Sequence, residues 1–409
     1  MTSIRNMLLI ISALAGGACA TAEQIPALDQ VLEAGVADGQ IPGVVAMAAT
    51  AEGVFYQGAA GFREQSSQSK MTVDTIARIA SMTKAITSVA TLQLIEQGRL
   101  GLDQAAADHL PQLRDVKVLA GFDEDGQPIL RPAKRAVTVR HLLTHTSGYV
   151  YALWNEALTR YEAATGSSRE GLAFLASPLA FEPGQKWEYG VSTDILGVLV
   201  ETVSGQSLDD YFREHIFKPL AMTDSYFIVP EDKLPRLATT YNKSAEGELT
   251  AIPYSRPSGE FFSGGGGLRS TAGDYVRFMR AILNGGALEG ERILTPASVD
   301  LMAENHIGEL DAAGYTKSMM PGVSNSFDFF PGSVDQFGLG FLINAEPVPG
   351  GRSAGSLAWA GLYNSYYWID RERGICGVLI TQVLPFFDAD VLALLTDFER
   401  AVYAAAPQR

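Results

Sequence analysis

The sequence predicts an α/β (α+β) chain: an antiparallel sheet drawn from both chain ends, flanked by helices, with a mostly helical domain inserted between them. Three observations predict it. Strand-like runs stand near the start, at 44–50 and 53–58. Four more close the chain, at 338–343, 357–361, 364–370 and 374–381. Residues 101–245 between them are largely helix-patterned. At 409 residues the chain exceeds one ordinary core. Two units are therefore expected, a discontinuous sheet domain at 24–100 and 246–405 and a helical domain at 101–245.

The elements follow in order. A first helix begins near residue 25, with Leu28, Val31, Leu32 and Val36 along one side. The two early strands read as a hairpin. A helix then runs from Ser81 toward Gly98, where Met82, Ala85, Ile86, Val89, Ala90 and Ile95 recur at helical spacing. Residues 116–138 read as an inserted ribbon turning at Asp123-Glu124-Asp125-Gly126. Helices are expected at 171–176, 193–203 and 208–217. Glycines 264–267 predict a flexible loop before a helix at 271–284, and a closing helix spans 388–404.

Residues 1–20 read as a cleaved secretory signal: Arg5, an apolar stretch at 7–15, and Ala18-Cys19-Ala20 before Thr21. The apolar stretch is shorter than the roughly 20 residues that span a membrane. A periplasmic or secreted protein, cut after Ala20, is the expectation. Asp and Glu total 46 against 31 Lys and Arg, which argues against nucleic acid and anionic membrane surfaces. After cleavage Cys376 is the one cysteine left, and core packing is its expected role. His141 and His145 stand at i and i+4 with no Cys or carboxylate cluster, so capping or packing is expected there and no metal site. No cofactor is implied.

Ser81-Met82-Thr83-Lys84 carries the chemistry. Residues at i and i+3 share a helix face, so this spacing sets a hydroxyl beside an amine. A desolvated amine favours its neutral form and can take the hydroxyl's proton. The pattern recurs at Ser67-Gln68-Ser69-Lys70, inside a polar run that offers no apolar face, so that lysine stays solvated. Gly351-Arg352-Ser353-Ala354-Gly355 fits the G-x-S-x-G elbow. It lacks the strand before and helix after, and the last histidine is His306, so it reads as a loop. The second element of interest is Pro183-Gly184-Gln185-Lys186-Trp187-Glu188-Tyr189. A phenol there could relay a proton if it reaches the Ser81–Lys84 pair.

Five motifs in order resemble the serine beta-lactamase and penicillin-binding-protein superfamily, in its class C-like branch, and within it the family VIII carboxylesterases. They are Ser81-x-x-Lys84; the run from Val137 through His141, His145 and Ser147 to Gly148; Pro183-Gly184-x-x-Trp187-x-Tyr189; glycines 264–267 with Leu268-Arg269-Ser270-Thr271; and Trp359-Ala360-Gly361. The ribbon and Thr381-Gln382-Val383-Leu384-Pro385-Phe386 resemble the esterase group in particular. The resemblance implies a beta-lactamase-like fold, Ser81 as nucleophile, Lys84 as general base and Tyr189 as proton relay. It also implies an oxyanion hole from the backbone N–H groups of Ser81 and Leu362.

Two departures separate the branches. The lactamases and peptidases place a cationic residue where Trp359 stands, and an indole cannot neutralise a substrate carboxylate. The asparagine two residues after the tyrosine is Val191 here. Both favour a neutral, apolar ester. The expected activity is a serine hydrolase cleaving small-molecule carboxylic esters with short acyl chains. Trp359, Ala360, Gly361, Tyr149, Trp154 and Val191 are the expected substrate contacts, with Tyr151, Trp187, Phe261, Phe262 and Tyr363 as further aromatic candidates. A beta-lactamase or D-Ala-D-Ala carboxypeptidase is the alternative activity, and a non-catalytic penicillin-recognising or wall-binding protein the third reading. Hydrolysis and transfer to an alcohol share the acyl-serine, and the sequence leaves that choice open, with natural substrate and oligomeric state.

Overall fold

The computed structural model describes residues 26–167, 171–312 and 317–407, so the signal segment expected at 1–20 lies outside the described residues. Eight antiparallel strands form the main sheet. Their spatial order is Gln336–Phe337, Leu342–Ile343, Leu357–Gly361, Ser365–Asp370, Ile375–Ile380, Gly43–Thr50, Val54–Glu64 and Ser69–Lys70. The two chain ends meet at its centre, where Val45 faces Ile380 and Met47 faces Val378.

Alternation along one strand explains why helices cover both faces. Tyr367 packs at a tilt on Tyr275 of the helix Ala272–Leu283, while its neighbour Trp368 meets Phe398 of the helix Ala389–Ala405. Both rings are fully buried. Pro26–Val36 packs beside the closing helix. Asp388 caps that helix, its carboxylate accepting from the Asp390 and Val391 amides.

Thr83–Glu96 packs against Ser192–Ser204, joining the sheet region to the helical segment. The ribbon pairs Lys117–Phe122 with Pro128–Pro132, and its turn carries Gly126 at φ +80°, a conformation open to glycine. His141 completes a capping box with Thr138, and Cys376 is buried.

Four elements differ from the sequence reading. The helix expected at 171–176 is a single 3-10 turn, Ala173–Ala176. At 338–343 only Leu342–Ile343 pairs as a strand; the Gly338 amide donates to the Phe341 carbonyl at 2.8 Å, closing a turn. That turn inserts Phe341 into the core, so its apolar run reflects burial without strand pairing. The helix expected at 208–217 is α-helical over Leu208–Phe212 and then widens to a π turn at Arg213–Phe217. Glycines 264–267 form a tightly packed passage and not a flexible loop. A Cβ on Gly264 would lie 2.9 Å from the Thr193 carbonyl oxygen, and one on Gly267 2.7 Å from the Phe227 ring.

Candidate active site

Ser81 sits in the 3-10 turn Ala80–Met82, which runs directly into the helix Thr83–Glu96. Ala80 has φ +43°, a left-handed conformation that costs a residue with a Cβ on the order of 1–2 kcal/mol. Neighbours hold it there. Thr83 Oγ1 donates to the Ala80 carbonyl at 2.6 Å and accepts from the Leu268 amide at 3.2 Å. The Gln382 side-chain amide bonds both backbone groups of Arg78, at 3.0 Å each, fixing the approach to the turn. Gly361 lets the neighbouring strand come close, since a Cβ there would lie 2.3 Å from the Ile79 carbonyl oxygen.

One helical turn on, Lys84 is 2 % exposed. Its Nζ lies 3.3 Å from Ser81 Oγ, 3.2 Å from the Tyr151 hydroxyl and 2.6 Å from the Gly265 carbonyl oxygen. All three are neutral oxygens, and none of the ion pairs among the described residues includes Lys84. The structure thus brings a hydroxyl and a buried amine within proton-exchange distance.

Tyr189 stands over the same amine, its ring centroid 4.7 Å from Lys84 Nζ. Its hydroxyl accepts from Trp359 Nε1 at 3.3 Å. His145 packs against the Tyr189 ring at 5.0 Å and accepts from the Gly190 amide through Nδ1 at 3.3 Å. Burial pushes His145 well below its usual range. Its ring also packs on Trp187 and Phe337, so it braces the aromatic cluster around Tyr189.

Ser81 and Tyr189 open on one narrow pocket lined also by Trp154, Phe327, Phe329, Trp359, Ala360, Leu362 and Phe386. Its free volume is about 20 Å³, room for little more than one water. Trp359 packs on Tyr189 at 4.8 Å and on Phe329 at 5.4 Å, and Trp154 meets Phe327 at 5.2 Å. A cavity of about 690 Å³ beside Phe217, Met222, Tyr226 and Phe262 is far larger but holds none of Ser81, Lys84 or Tyr189. Chemistry, and not volume, picks the site.

A family model described as Beta-lactamase matches residues 28–399. The chain belongs to the beta-lactamase family. It is similar to the lovastatin esterase of Penicillium rubens, 34% identical over 92% of this chain and 98% of that one. It is equally similar to a monacolin J acid methylbutanoyltransferase of Aspergillus terreus, 34% identical over 96% of this chain and 98% of that one. The solved simvastatin synthase of Aspergillus terreus superposes with a TM-score of 0.82 at 32% identity, covering 93% and 98% of the two chains. A hydrolase with promiscuous acyltransferase activity shares the fold, with a TM-score of 0.72 at 24% identity over 92% and 98%.

The other expected contacts of this beta-lactamase-family chain divide. Trp154, Trp359, Ala360 and Leu362 line the Ser81 pocket, whereas Gly361 backs onto the Ile79 carbonyl. Tyr149 turns into the core at 1 % exposure, its hydroxyl directed at the Leu175 carbonyl, and Tyr151 is the residue that reaches Lys84. Val191 and Phe261 line a neighbouring cavity of about 310 Å³ together with Tyr151 and Asp194. Phe262 belongs to the distant large cavity, Trp187 meets Trp359 edge-on, and Tyr363 accepts from Arg78. Sequence reasoning missed Phe327, Phe329 and Asp194. Asp194 lies in the first turn of its helix, where an acidic residue is ordinarily read as a complement to the helix dipole. Among the described residues no group of three or more His, Cys, Asp or Glu is placed to hold a metal ion, and no helix is long and apolar enough to cross a membrane.

Proposed function

We propose that this chain is a serine hydrolase that cleaves neutral carboxylic esters with short acyl chains through an acyl-enzyme at Ser81. The observation that carries this reading is the 3.3 Å contact between Ser81 Oγ and an amine buried among neutral oxygens. Lys84 takes the hydroxyl proton as Ser81 Oγ bonds to the ester carbonyl carbon. The oxyanion meets the N–H groups of Ser81 and Leu362, an arrangement in which one donor is worth about 3 kcal/mol. The carbon–oxygen bond to the alcohol breaks as the Tyr189 hydroxyl gives its proton to the departing oxygen and takes in its place the proton that Lys84 received from Ser81, which leaves both groups as they began. Water then attacks the acyl-serine by the reverse sequence, releasing the acid. The narrow aromatic pocket supports a small, uncharged acyl group.

Ser81→Ala is expected to abolish hydrolysis of a short-chain nitrophenyl ester while circular dichroism and Tm stay unchanged. Retained turnover ends the proposal. A second reading, acyl transfer to an alcohol, is favoured by the transferase among the 34% identical relatives. Adding a competing alcohol to the ester assay and measuring the transesterified product separates the two. A beta-lactamase activity would meet Trp359 where a cation is needed, so a charged cephalosporin is expected to turn over far more slowly than the ester. We propose a periplasmic or secreted location with cleavage after Ala20, checked by the N-terminal mass of the mature protein.

A further inference from the structure

Three arginines near the approach to Ser81 stand without a carboxylate. Arg63, Arg78 and Arg269 take part in none of the ion pairs among the described residues, in a chain with 46 Asp and Glu. Arg78 faces Arg269 directly where Ala77–Arg78 pairs antiparallel with Arg269–Ser270. Like charges in opposed positions repel and weaken a strand pair. The Tyr254 and Tyr363 rings flank the Arg78 guanidinium at 5.9 and 5.7 Å, and the Tyr363 hydroxyl accepts from its Nη1 at 3.3 Å. These contacts hold the group in place but bring no full negative charge to it.

Arg63 and Arg78 open on one cavity of about 260 Å³, lined also by Ser69, Thr239, Thr240 and Tyr254. It holds none of Ser81, Lys84 or Tyr189, so it is separate from the narrow pocket at the nucleophile. Arg63 gives Nε to the Pro235 carbonyl at 3.0 Å and Nη1 to the Lys70 carbonyl at 2.8 Å. That fixes its fork and leaves Nη2 without a hydrogen bond among the described residues. Glu64 is the one acidic residue among those lining the cavity, and its Oε2 accepts from Ser67 Oγ at 2.7 Å. Thr240 supplies an independent sign. It is 3 % exposed, and its Oγ1 is buried with no hydrogen-bond partner. A buried hydroxyl left unpaired is costly, and an acceptor in the cavity would satisfy it.

We propose that this cavity binds a small oxyanion, a carboxylate or a phosphate, between the Arg63 and Arg78 guanidiniums, with the Thr240 hydroxyl as a further donor. A guanidinium presents its N–H groups as a planar fork that matches the paired oxygens of either ion. The bound charge also offsets the repulsion between Arg78 and Arg269. Arg78 stands three residues before Ser81, with both its backbone groups held by Gln382, so the ligand firms the strand from which the nucleophile's turn departs. The site goes beyond the hydrolase reading and does not depend on it.

The test is isothermal titration of the whole protein with sodium phosphate and, separately, sodium butyrate, with chloride balancing ionic strength and Tm followed in the same buffers. One anion or both is expected to bind saturably and to raise Tm by about 2 °C at roughly ten times its Kd. Phosphate alone marks a phosphate-type ligand, and butyrate alone a short carboxylate of the class that the proposed reaction releases; either outcome carries the inference. Arg63→Met is expected to weaken binding about 30-fold and Thr240→Val about fivefold. The anion-free Tm of Thr240→Val should be no lower than the parent's, because its hydroxyl has no partner to lose. Saturable binding of neither anion overturns the inference, as does parental affinity in either variant. If Arg63→Met fails to fold, Thr240→Val decides alone. Ser81→Ala is expected to titrate like the parent, so a failed esterase reading and a failed anion site are read apart.

Discussion

Two S-x-x-K copies stand in this chain, and their surroundings give them opposite fates. Ser67 lies in a polar turn with its hydroxyl on Glu64, and the exposed Lys70 rests its amine over the Phe62 ring. Lys84 is enclosed by Tyr151, Tyr189 and the Gly265 backbone. The same four-residue spelling thus places one amine at the surface and buries the other beside its serine. Lys84→Ala is expected to lower kcat about 1000-fold with little change in Tm, while Lys70→Ala leaves both at parental values. A steady-state comparison of the two variants checks this, and equal losses would remove the distinction. The pair was legible in the sequence because i and i+3 spacing is a property of any helix. Tyr151 and Asp194 were less legible, because their partners come from other segments of the chain.

At the scale of elements, the segment carrying Phe327 and Phe329 closes the Ser81 pocket from above Trp359. It has almost no regular structure and no periodicity, so nothing in the sequence distinguished its rings from core aromatics. If the acyl group enters this pocket, as proposed, its free space for about one water would limit the chain that follows the scissile carbonyl. Phe329→Ala is expected to flatten the preference for short chains: kcat/KM for acetyl through octanoyl nitrophenyl esters should fall steeply in the parent and far less in the variant. An unchanged profile would place the acyl group elsewhere. Glycines 264–267 teach the same lesson in reverse. Their composition suggested freedom, yet their missing Cβ atoms serve close approach to Thr193, Asp194 and Phe227.

Across the whole molecule, a buried ion pair ties the closing helix to the loop that leads into the strand Leu357–Gly361. Arg352 reaches Glu399 through Nε at 2.9 Å and Nη2 at 2.6 Å, and its amide adds a third bond at 2.9 Å. Burial pushes the Glu399 carboxyl up, but the Arg352 charge and hydrogen bonds outweigh it and hold the carboxyl below its ordinary 4.5. A carboxyl depressed in the folded state contributes stability above that value and loses it as acid protonates the group. Glu399→Gln is therefore expected to cost about 3 kcal/mol at neutral pH by leaving Arg352 buried without its partner. Calorimetry from pH 7 downward should show the deficit narrowing below about pH 4.5. A deficit independent of pH would assign the loss to packing. The decoy Gly351-Arg352-Ser353-Ala354-Gly355 finds its explanation here: Arg352 binds Glu399, and the Ser353 amide donates to Asp370 at 2.8 Å.

Periodicity and spacing by themselves determined the strands from both ends, the helices between and the Ser81–Lys84 pair, since each depends on residues within about one turn or one strand of each other. Tertiary structure alone decided which aromatic faces Ser81, why Tyr151 and not Tyr149 touches Lys84, and how Asp194 reaches the Gly265 amide. Those outcomes depend on which distant segments pack together, and no local pattern encodes a contact such as Lys84–Tyr151, made across 67 residues of chain.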